Sequence, residues 1–289
     1  MTLLSILLGL GLEYFLGTLD RLRNYSWFEQ YRNWLEARCA KLAFWEGPVG
    51  LLLTLALPLL VLVMILNLFD GLSDILSFIL AVVIFIYSIG SDVNSLLDDY
   101  IDALVSGDAG SITGIEQQLL SRDAGTDDAG GMTIIHAVLT RAHDHLFGVI
   151  FWFIMLGPVG ALLFSLTVRL NTRFREIRGA YADAVRNLHG ILIWPAARLL
   201  ATGFALAGSL VDALERWRDV KGNTLEISAR VITESALGAI HFRALDMADE
   251  AAQKADHLAR MQDVQALINR TLIVWLGILG LMTLRGTLG

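Results

Sequence analysis

The chain has 289 residues, of which 55% are hydrophobic and 18% charged, with a mean hydropathy of +0.58. That balance excludes an ordinary soluble domain, yet the polar blocks are too large for a protein buried entirely in lipid. A net charge of -7, with acids gathered between Asp92 and Asp144, argues against nucleic acid as a partner, and the single Cys39 excludes an internal disulfide or a cysteine-rich metal cage.

Residues 1–46 open with MTLLSILLGLGLEYFLGTL. The stretch lacks a basic start and a small-x-small cleavage site, and Glu13 interrupts it. It is expected to be a retained interfacial helix, with a full span as the alternative. Residues 24–45 set Trp27, Tyr31, Trp34, Leu35, Arg38 and Leu42 at three-to-four spacing. This predicts an amphipathic helix that anchors at the membrane surface or packs on the bundle. Region 47–91 carries two apolar stretches, 47–69 and 72–91, each long enough to cross roughly 30 Å of hydrocarbon. Asp70 and Gly71 leave room only for a turn, so the two are expected to form an antiparallel hairpin.

Region 92–145 is acidic. Thr113 and Glu116 have capping-box spacing ahead of IEQQLL. The tract SRDAGTDDAGG that follows predicts a solvated linker, because Asp123, Asp127 and Asp128 lack the ligand order of a calcium loop. Region 146–211 holds a span at 146–168 and a second apolar run, 191–211, which carries Pro195 and Arg198 and reads as a span or a half-inserted helix. The element Gly157-Pro158-Val159-Gly160 is expected to kink the first span and to let a neighbouring helix approach. The same four letters at Gly47–Gly50 read as a coincidence, since Pro48 starts a helix there.

Region 212–270 is polar and helical, and alanines 248, 251, 252, 255 and 259 make a narrow stripe suited to the bundle or to a second copy in a homodimer. A last span, 271–284, lies in region 271–289. The expected fold is all-α: a polytopic helical membrane protein with four to five transmembrane helices plus amphipathic and cytoplasmic helices. If 191–211 spans, the distribution of Arg and Lys puts 20–46, the acidic loop and 212–270 in the cytoplasm; if it does not, orientation stays open.

The stretch RAHDHLFGVIFWF puts His143, Asp144 and His145 at the mouth of an apolar helix. Two residues apart, His143 and His145 point away from each other and cannot share a metal. His136 and His143 share a face but have no carboxylate in register. Arg141 can reach lipid headgroups or pair with Asp144. No P-loop, dinucleotide fingerprint, HExxH or GxSxG pattern occurs, so no resident cofactor, metal or catalytic residue is called for. Glu13, Asp74 and Arg198 lie within or beside apolar runs, where each either pairs inside the bundle or snorkels to an interface.

Three blocks carry a resemblance: LFGVIFWFIMLGPVGALLFSL, then IWPAARLLATGFALAG, then ITESALGAI. Together with the early LGLGLEYF they resemble the bacterial inner-membrane proteins called AmpE, within the wider group that contains the cobalamin-biosynthesis protein CobD, or CbiB. The AmpE branch implies a regulatory or sensory protein of β-lactamase induction and cell-wall recycling, linked to a muramyl amidase. The CobD branch implies an ATP-dependent amide synthase that joins an aminopropanol unit to a corrinoid carboxylate. Counted back from Phe151 and Trp152, Thr140 and Arg141 stand where the Glu and Asn of the synthase pattern would fall, while Asp144 keeps an acid. Val168 and Asn171 meet the Asn and Asp of an NTLD-like stretch, and Trp194 and Arg198 keep a WxPAR-like pattern with Pro195 one position early. These departures favour a protein without catalysis. The expected ligand site is a mouth where Arg141, His143 and Asp144 meet Asn171, Arg173 and Arg198, suited to an anionic small molecule. A small-solute transporter is the third reading, from the kinked span and the charges in apolar runs.

Overall fold

The computed structural model describes residues 2–16, 24–39, 45–90, 93–123, 131–222, 227–242 and 250–285. Among them there is no strand. The helices are α1 (Thr2–Leu16), α2 (Ser26–Cys39), α3 (Pro48–Asp70), α4 (Asp74–Ser88), α5 (Val93–Ser106), α6 (Ala109–Asp123), α7 (Gly131–Ala142), α8 (Gly148–Arg173), α9 (Ala180–Ala207), α10 (Leu210–Asp219), α11 (Ser228–Ala239) and α12 (Glu250–Leu284). A π-helical turn, His143–Phe147, stands between α7 and α8. Five helical stretches are long and apolar enough to cross a membrane: Pro48–Asp70, Asp74–Ser106, Met132–Arg173, Ala180–Ala207 and Ala252–Leu284. The ambiguous run 191–211 thus belongs mostly to a helix that starts earlier, passes through Pro195 and ends at Ala207.

The chain forms two compact units. One comprises Met1–Ser91, Asp144–Ile193 and Met282–Gly289; the other comprises Asp92–His143 and Trp194–Leu281.

In the first unit α3 begins with Pro48, whose missing N–H costs nothing at a helix start. Its outer face leaves Leu52, Leu57, Leu60, Met64 and Leu68 exposed, as a helix apolar all round does when lipid is its solvent. Its inner face packs Leu51, Leu55 and Leu62 with Phe28 of α2, Leu162, Leu166 and Leu170 of α8, and Val185 of α9. The expected hairpin is present: Gly71 and Leu72 make the turn, and the Ser73 hydroxyl accepts a hydrogen bond from the Ile75 amide at 3.3 Å to cap α4. Helix α1 packs along α4 and α8, with Ile6 fully buried and Gly9 against the Phe85 ring.

The main departure from the expected span is in α8. At Gly157 the backbone takes φ 65° and ψ -154°, a conformation essentially restricted to glycine, and the chain doubles back. A Cβ on Gly160 would overlap the Trp152 carbonyl oxygen and lie 2.6 Å from the Leu156 Cβ. In a straight helix residues eight apart are separated by about 12 Å, so no straight or gently kinked helix allows this contact. The two legs also meet the same end of α4. The Gly90 amide donates to the His145 carbonyl at 3.1 Å. The Tyr25 hydroxyl lies 2.6 Å from the Tyr87 carbonyl and 3.0 Å from Ser165 Oγ. Residues 146–168 are therefore a helical hairpin rather than one span, with its tip at Gly157-Pro158. The tip lines a cavity of about 280 Å³ with Ser5, Asp70, Asp74 and Ser77. Non-helical backbone at membrane depth is tolerated where it lines such a polar space.

In the second unit α5, α6 and α7 pack on one another and α7 packs on α11. Helices α10 and α11 approach closely because Gly208 sits against the Ala239 backbone and Gly238 against Asp212 and Ala213. The expected capping box is corrected. Helix α6 starts earlier, at Ala109, and Thr113 lies inside it with its hydroxyl bonded to the Ala109 carbonyl. Asp108 is the cap, accepting from the Gly110 amide at 3.0 Å and the Ser111 hydroxyl at 2.6 Å. Those bonds hold the exposed Asp108 carboxyl below the usual carboxylate range. Of the alanine stripe, Ala255 and Ala259 are exposed within the single chain and so do not pack on its own bundle, which leaves the second-copy alternative; α12 buries Met261, Val264, Leu267 and Ile268. Leu42, Asp127, Asp128 and Ala248 lie outside the described residues.

Candidate ligand-binding site

The six residues expected at one mouth divide between the two units. Arg141, His143 and Arg198 belong to the second, and Asp144, Asn171 and Arg173 to the first. In the second unit Arg141 and His143 are buried, at 5% and 0% exposure. The Arg198 guanidinium folds back on its own helix, with Nη1 donating to the Trp194 carbonyl at 3.0 Å and Cζ 4.3 Å from the Trp194 ring centre. His136 bonds Thr233 across α7 and α11 at 2.7 Å.

In the first unit the hairpin in α8 has a direct consequence. A straight helix would separate Asp144 from Asn171 by about 40 Å; the reversal at Gly157 instead returns the second leg towards the level of the first. Asp144 lies in the π-helical turn with Oδ1 3.9 Å from His189 Nε2 on α9, both side chains about 15% exposed. At the far end of the second leg Arg173 Nη1 lies 3.1 Å from Glu29 Oε2, and Glu29 is 3.8 Å from the Arg32 guanidinium. Arg32 in turn pairs with Glu36 at 3.1 Å and stacks on the Phe174 ring, its Cζ 5.5 Å from the centroid.

Beside this chain of charges lies a cavity of about 390 Å³. It is framed by α2, by Trp45 and Glu46, and by the connection from α8 to α9. Arg32, Arg178, Trp45, Phe174 and Tyr181 supply its two cations and its aromatic surface. Phe174 and Tyr181 are in ring contact at 5.0 Å and Trp45 and Tyr181 at 6.2 Å, so the three form one apolar wall. The Tyr181 hydroxyl donates to Thr54 Oγ1 at 3.1 Å, which fixes the wall to α3. On α2, burial pushes the Tyr31 phenol above its usual range, with Tyr181 and Cys39 adding to the effect. Its hydroxyl donates to the Leu53 carbonyl at 3.2 Å.

Sequence reasoning placed Asn171 and Arg173 at a ligand mouth but missed the cavity itself. It treated residues 24–45 as one aromatic-faced helix; over its described residues, Ser26–Cys39, α2 leaves Trp27 and Trp34 exposed and buries Phe28, Arg32 and Leu35, and residues 40–44 lie outside the described residues. The available signal was Arg32, a cation on the same helical stripe as Phe28 and Leu35.

Comparison with known proteins gives limited but consistent similarity. The chain is 31% identical over 109 residues to the cobalamin biosynthesis protein CobD of Stutzerimonas stutzeri, covering 35% of each chain. It is 27% identical over 127 residues to the protein of the same name from Chromobacterium violaceum, covering 42% of this chain and 41% of that one. The matches thus span about a third to two fifths of the length of these curated relatives. No family profile and no solved structure matches. What the similarity supports is a weak homology to the CobD, or CbiB, proteins of cobalamin biosynthesis.

Proposed function

We propose that this chain is a multi-pass protein of the bacterial inner membrane which modulates β-lactamase induction or cell-wall recycling, as its resemblance to AmpE implies, on a scaffold related to CobD. The observation that carries this reading is at the end of α7. Where the synthase pattern would place Glu and Asn, the chain has Thr140 and a buried Arg141, 5% exposed. Activating a carboxylate with ATP calls for metal-binding acids and a preorganised charge array around the transferred phosphoryl group. A buried guanidinium repels a metal ion rather than holding one. The polar groups that remain suit binding: Asp144 with His189, and Arg173 with Glu29 and Arg32. A ligand held there would be an anionic small molecule, and a muramyl amidase is the natural protein partner.

The test is β-lactamase induction by a sub-inhibitory β-lactam in a deletion strain complemented with wild type or with Arg173→Ala. The expected result is an altered induction curve restored by wild type and not by the variant. An unchanged curve in the deletion strain would overturn the reading.

A second reading is favoured by the relatives, both of which are CobD proteins of cobalamin biosynthesis. It makes the chain an amide synthase that retains Asp144 as its acid. Purified protein given ATP, a corrinoid carboxylic acid and aminopropanol would then release ADP or AMP and form an amide, and Asp144→Asn would abolish both. The modulator reading predicts no product.

A further inference from the structure

We propose that α10 is an interfacial membrane anchor. It lies along the leaflet at which α9 ends, with Leu210, Val211, Leu214 and Trp217 at the acyl boundary and Arg218 and Lys221 among the lipid phosphates. The inference rests only on the chain's crossing a membrane, and it holds whether the protein is a modulator or a synthase.

The first observation is continuity with a spanning helix. Helix α9 ends at Ala207 and α10 begins at Leu210, with Ser209 as its cap. The Ser209 amide donates to the Ala239 carbonyl at 3.0 Å, and Gly208 sits against the same backbone, so the turn between the two helices is fixed. The start of α10 is therefore held at the level where α9 leaves the hydrocarbon. Leu199 and Leu206 face outward from α9 at 46% and 60% exposure, as lipid-facing residues do. Leu210 and Val211 follow at 49% and 73%. With ten residues α10 is too short to cross a bilayer itself.

The second observation is how its side chains divide. At about 100° per residue, Ala213 and Arg216 share one side. That side is closed by protein: Ala213 is 1% exposed with Gly238 against its backbone, and Arg216 reaches Glu234 at 3.4 Å and the Phe242 carbonyl at 2.6 Å. The rest of the surface forms two stripes. One carries Leu210, Val211, Leu214 and Trp217, with Arg218 and Lys221 at its C-terminal end; the other carries Asp212, Glu215 and Asp219. All three acids are thus kept off the stripe that holds the apolar residues and the two cations. A helix that is strongly amphipathic yet polar on average lies in the interface plane, its Trp at headgroup level and its Arg and Lys snorkelling to phosphate. Helix α6 of the same unit supplies the contrast, since over residues 109–120 it exposes no large apolar side chain.

The test is spin labelling of the full-length protein in discs of phosphatidylcholine and phosphatidylglycerol. In a Cys39→Ser background, single labels are placed by Val211→Cys, Arg218→Cys, Glu215→Cys and Asp219→Cys, all at exposed positions. Collisions with oxygen, which partitions into lipid, are compared with collisions with a water-soluble nickel chelate. Oxygen preference is expected to be several-fold higher at 211 and 218 than at 215 and 219. Adding Val211→Asp is expected to lower the preference of the 218 label by at least about twofold, because a carboxylate pulls the apolar stripe out of the leaflet. Equal nickel preference at all four sites would place α10 in water, and equal oxygen preference would place it inside the hydrocarbon. Oxygen preference at 211 alone would show that only the first turn touches lipid. Each of these results overturns the proposal, as does a 218 label unmoved by Val211→Asp. None of them depends on β-lactamase induction or on amide synthesis.

Discussion

The tetrapeptide Gly-Pro-Val-Gly occurs twice, at Gly47–Gly50 and Gly157–Gly160, and the two copies do the same local work in different surroundings. In both, the proline opens a helical leg. In both, the second glycine lets that leg press on the carbonyl of an earlier tryptophan: Trp45 lies over Gly50 and Trp152 over Gly160. The tryptophan stands five residues before Gly50 and eight before Gly160, so the likeness is confined to the tetrapeptide. The difference lies in the first glycine. Gly47 has φ -125°, which any residue adopts, because the chain reaches it through a turn at the helix start. Gly157 has φ 65° because the chain reaches it from an apolar helix and must reverse at once. One tetrapeptide can thus start a helix or fold one in two, and what precedes it decides which.

The most decisive way to break this comparison is topological. In a Cys39→Ser background, single cysteines at Leu146 and at Arg175 are expected to react with a membrane-impermeant maleimide from the same side of the bilayer. Labelling from opposite sides would restore the single span and remove the hairpin.

The next largest effects sharpen it. Gly160→Ala and Gly50→Ala should each cost about 2–3 kcal/mol, because the new Cβ meets backbone that cannot move aside. Gly157→Ala should cost a similar ~1–3 kcal/mol through its backbone angles alone, since its Cβ would meet nothing. Gly47→Ala, with open space and an ordinary φ, should be within about 0.5 kcal/mol of wild type. Thermal unfolding in one detergent ranks the four, and equal effects at Gly47 and Gly157 would contradict the distinction.

A smaller effect is expected at the tie between legs and bundle. Tyr25→Phe removes the hydroxyl shared by the Tyr87 carbonyl and Ser165, and should cost about 1–2 kcal/mol. Its Arg169 contact, with Cζ 3.3 Å from the ring centre, remains. The same melting assay reads the loss, and no change would show that the bond does not hold the second leg.

The smallest effect contrasts the hairpin, which has no titrating cap, with α6. The Asp108 carboxyl is depressed in the folded chain by the Ser111 hydroxyl and the Ser111 and Gly110 amides. Its contribution is therefore full above the unfolded value of about 4 and is lost as pH falls through the lower folded value. Protection of the α6 amides, taken as exchange relative to the intrinsic rate at each pH, should fall below about pH 4 in wild type. Asp108→Asn should flatten that dependence while leaving exchange in α8 as it was.

Much of the fold was legible because its signals are local. Ser73 and the Asp70-Gly71 turn mark the α3–α4 hairpin in letters, since a turn that faces water needs polar residues and a cap. The reversal in α8 carries no such signal. Its neighbours Met155, Leu156 and Val159 are apolar, so hydropathy reads straight through it. The candidate site divides in the same way. Asn171 and Arg173 were placed at the expected mouth from the sequence, whereas Arg32, which the structure buries, was not singled out there.

By itself the sequence determined that the chain is helical, that it spans a membrane several times, and which residue types close its first hairpin. Lipid length and backbone satisfaction impose those features segment by segment. Only the tertiary structure decided that Gly157 reverses the chain, that Arg32 is buried, and that the start of α9 opens into a cavity walled by Trp45 and Tyr181. Each depends on which backbone comes within reach of which, over separations of up to 150 residues. No local pattern of hydropathy encodes that proximity.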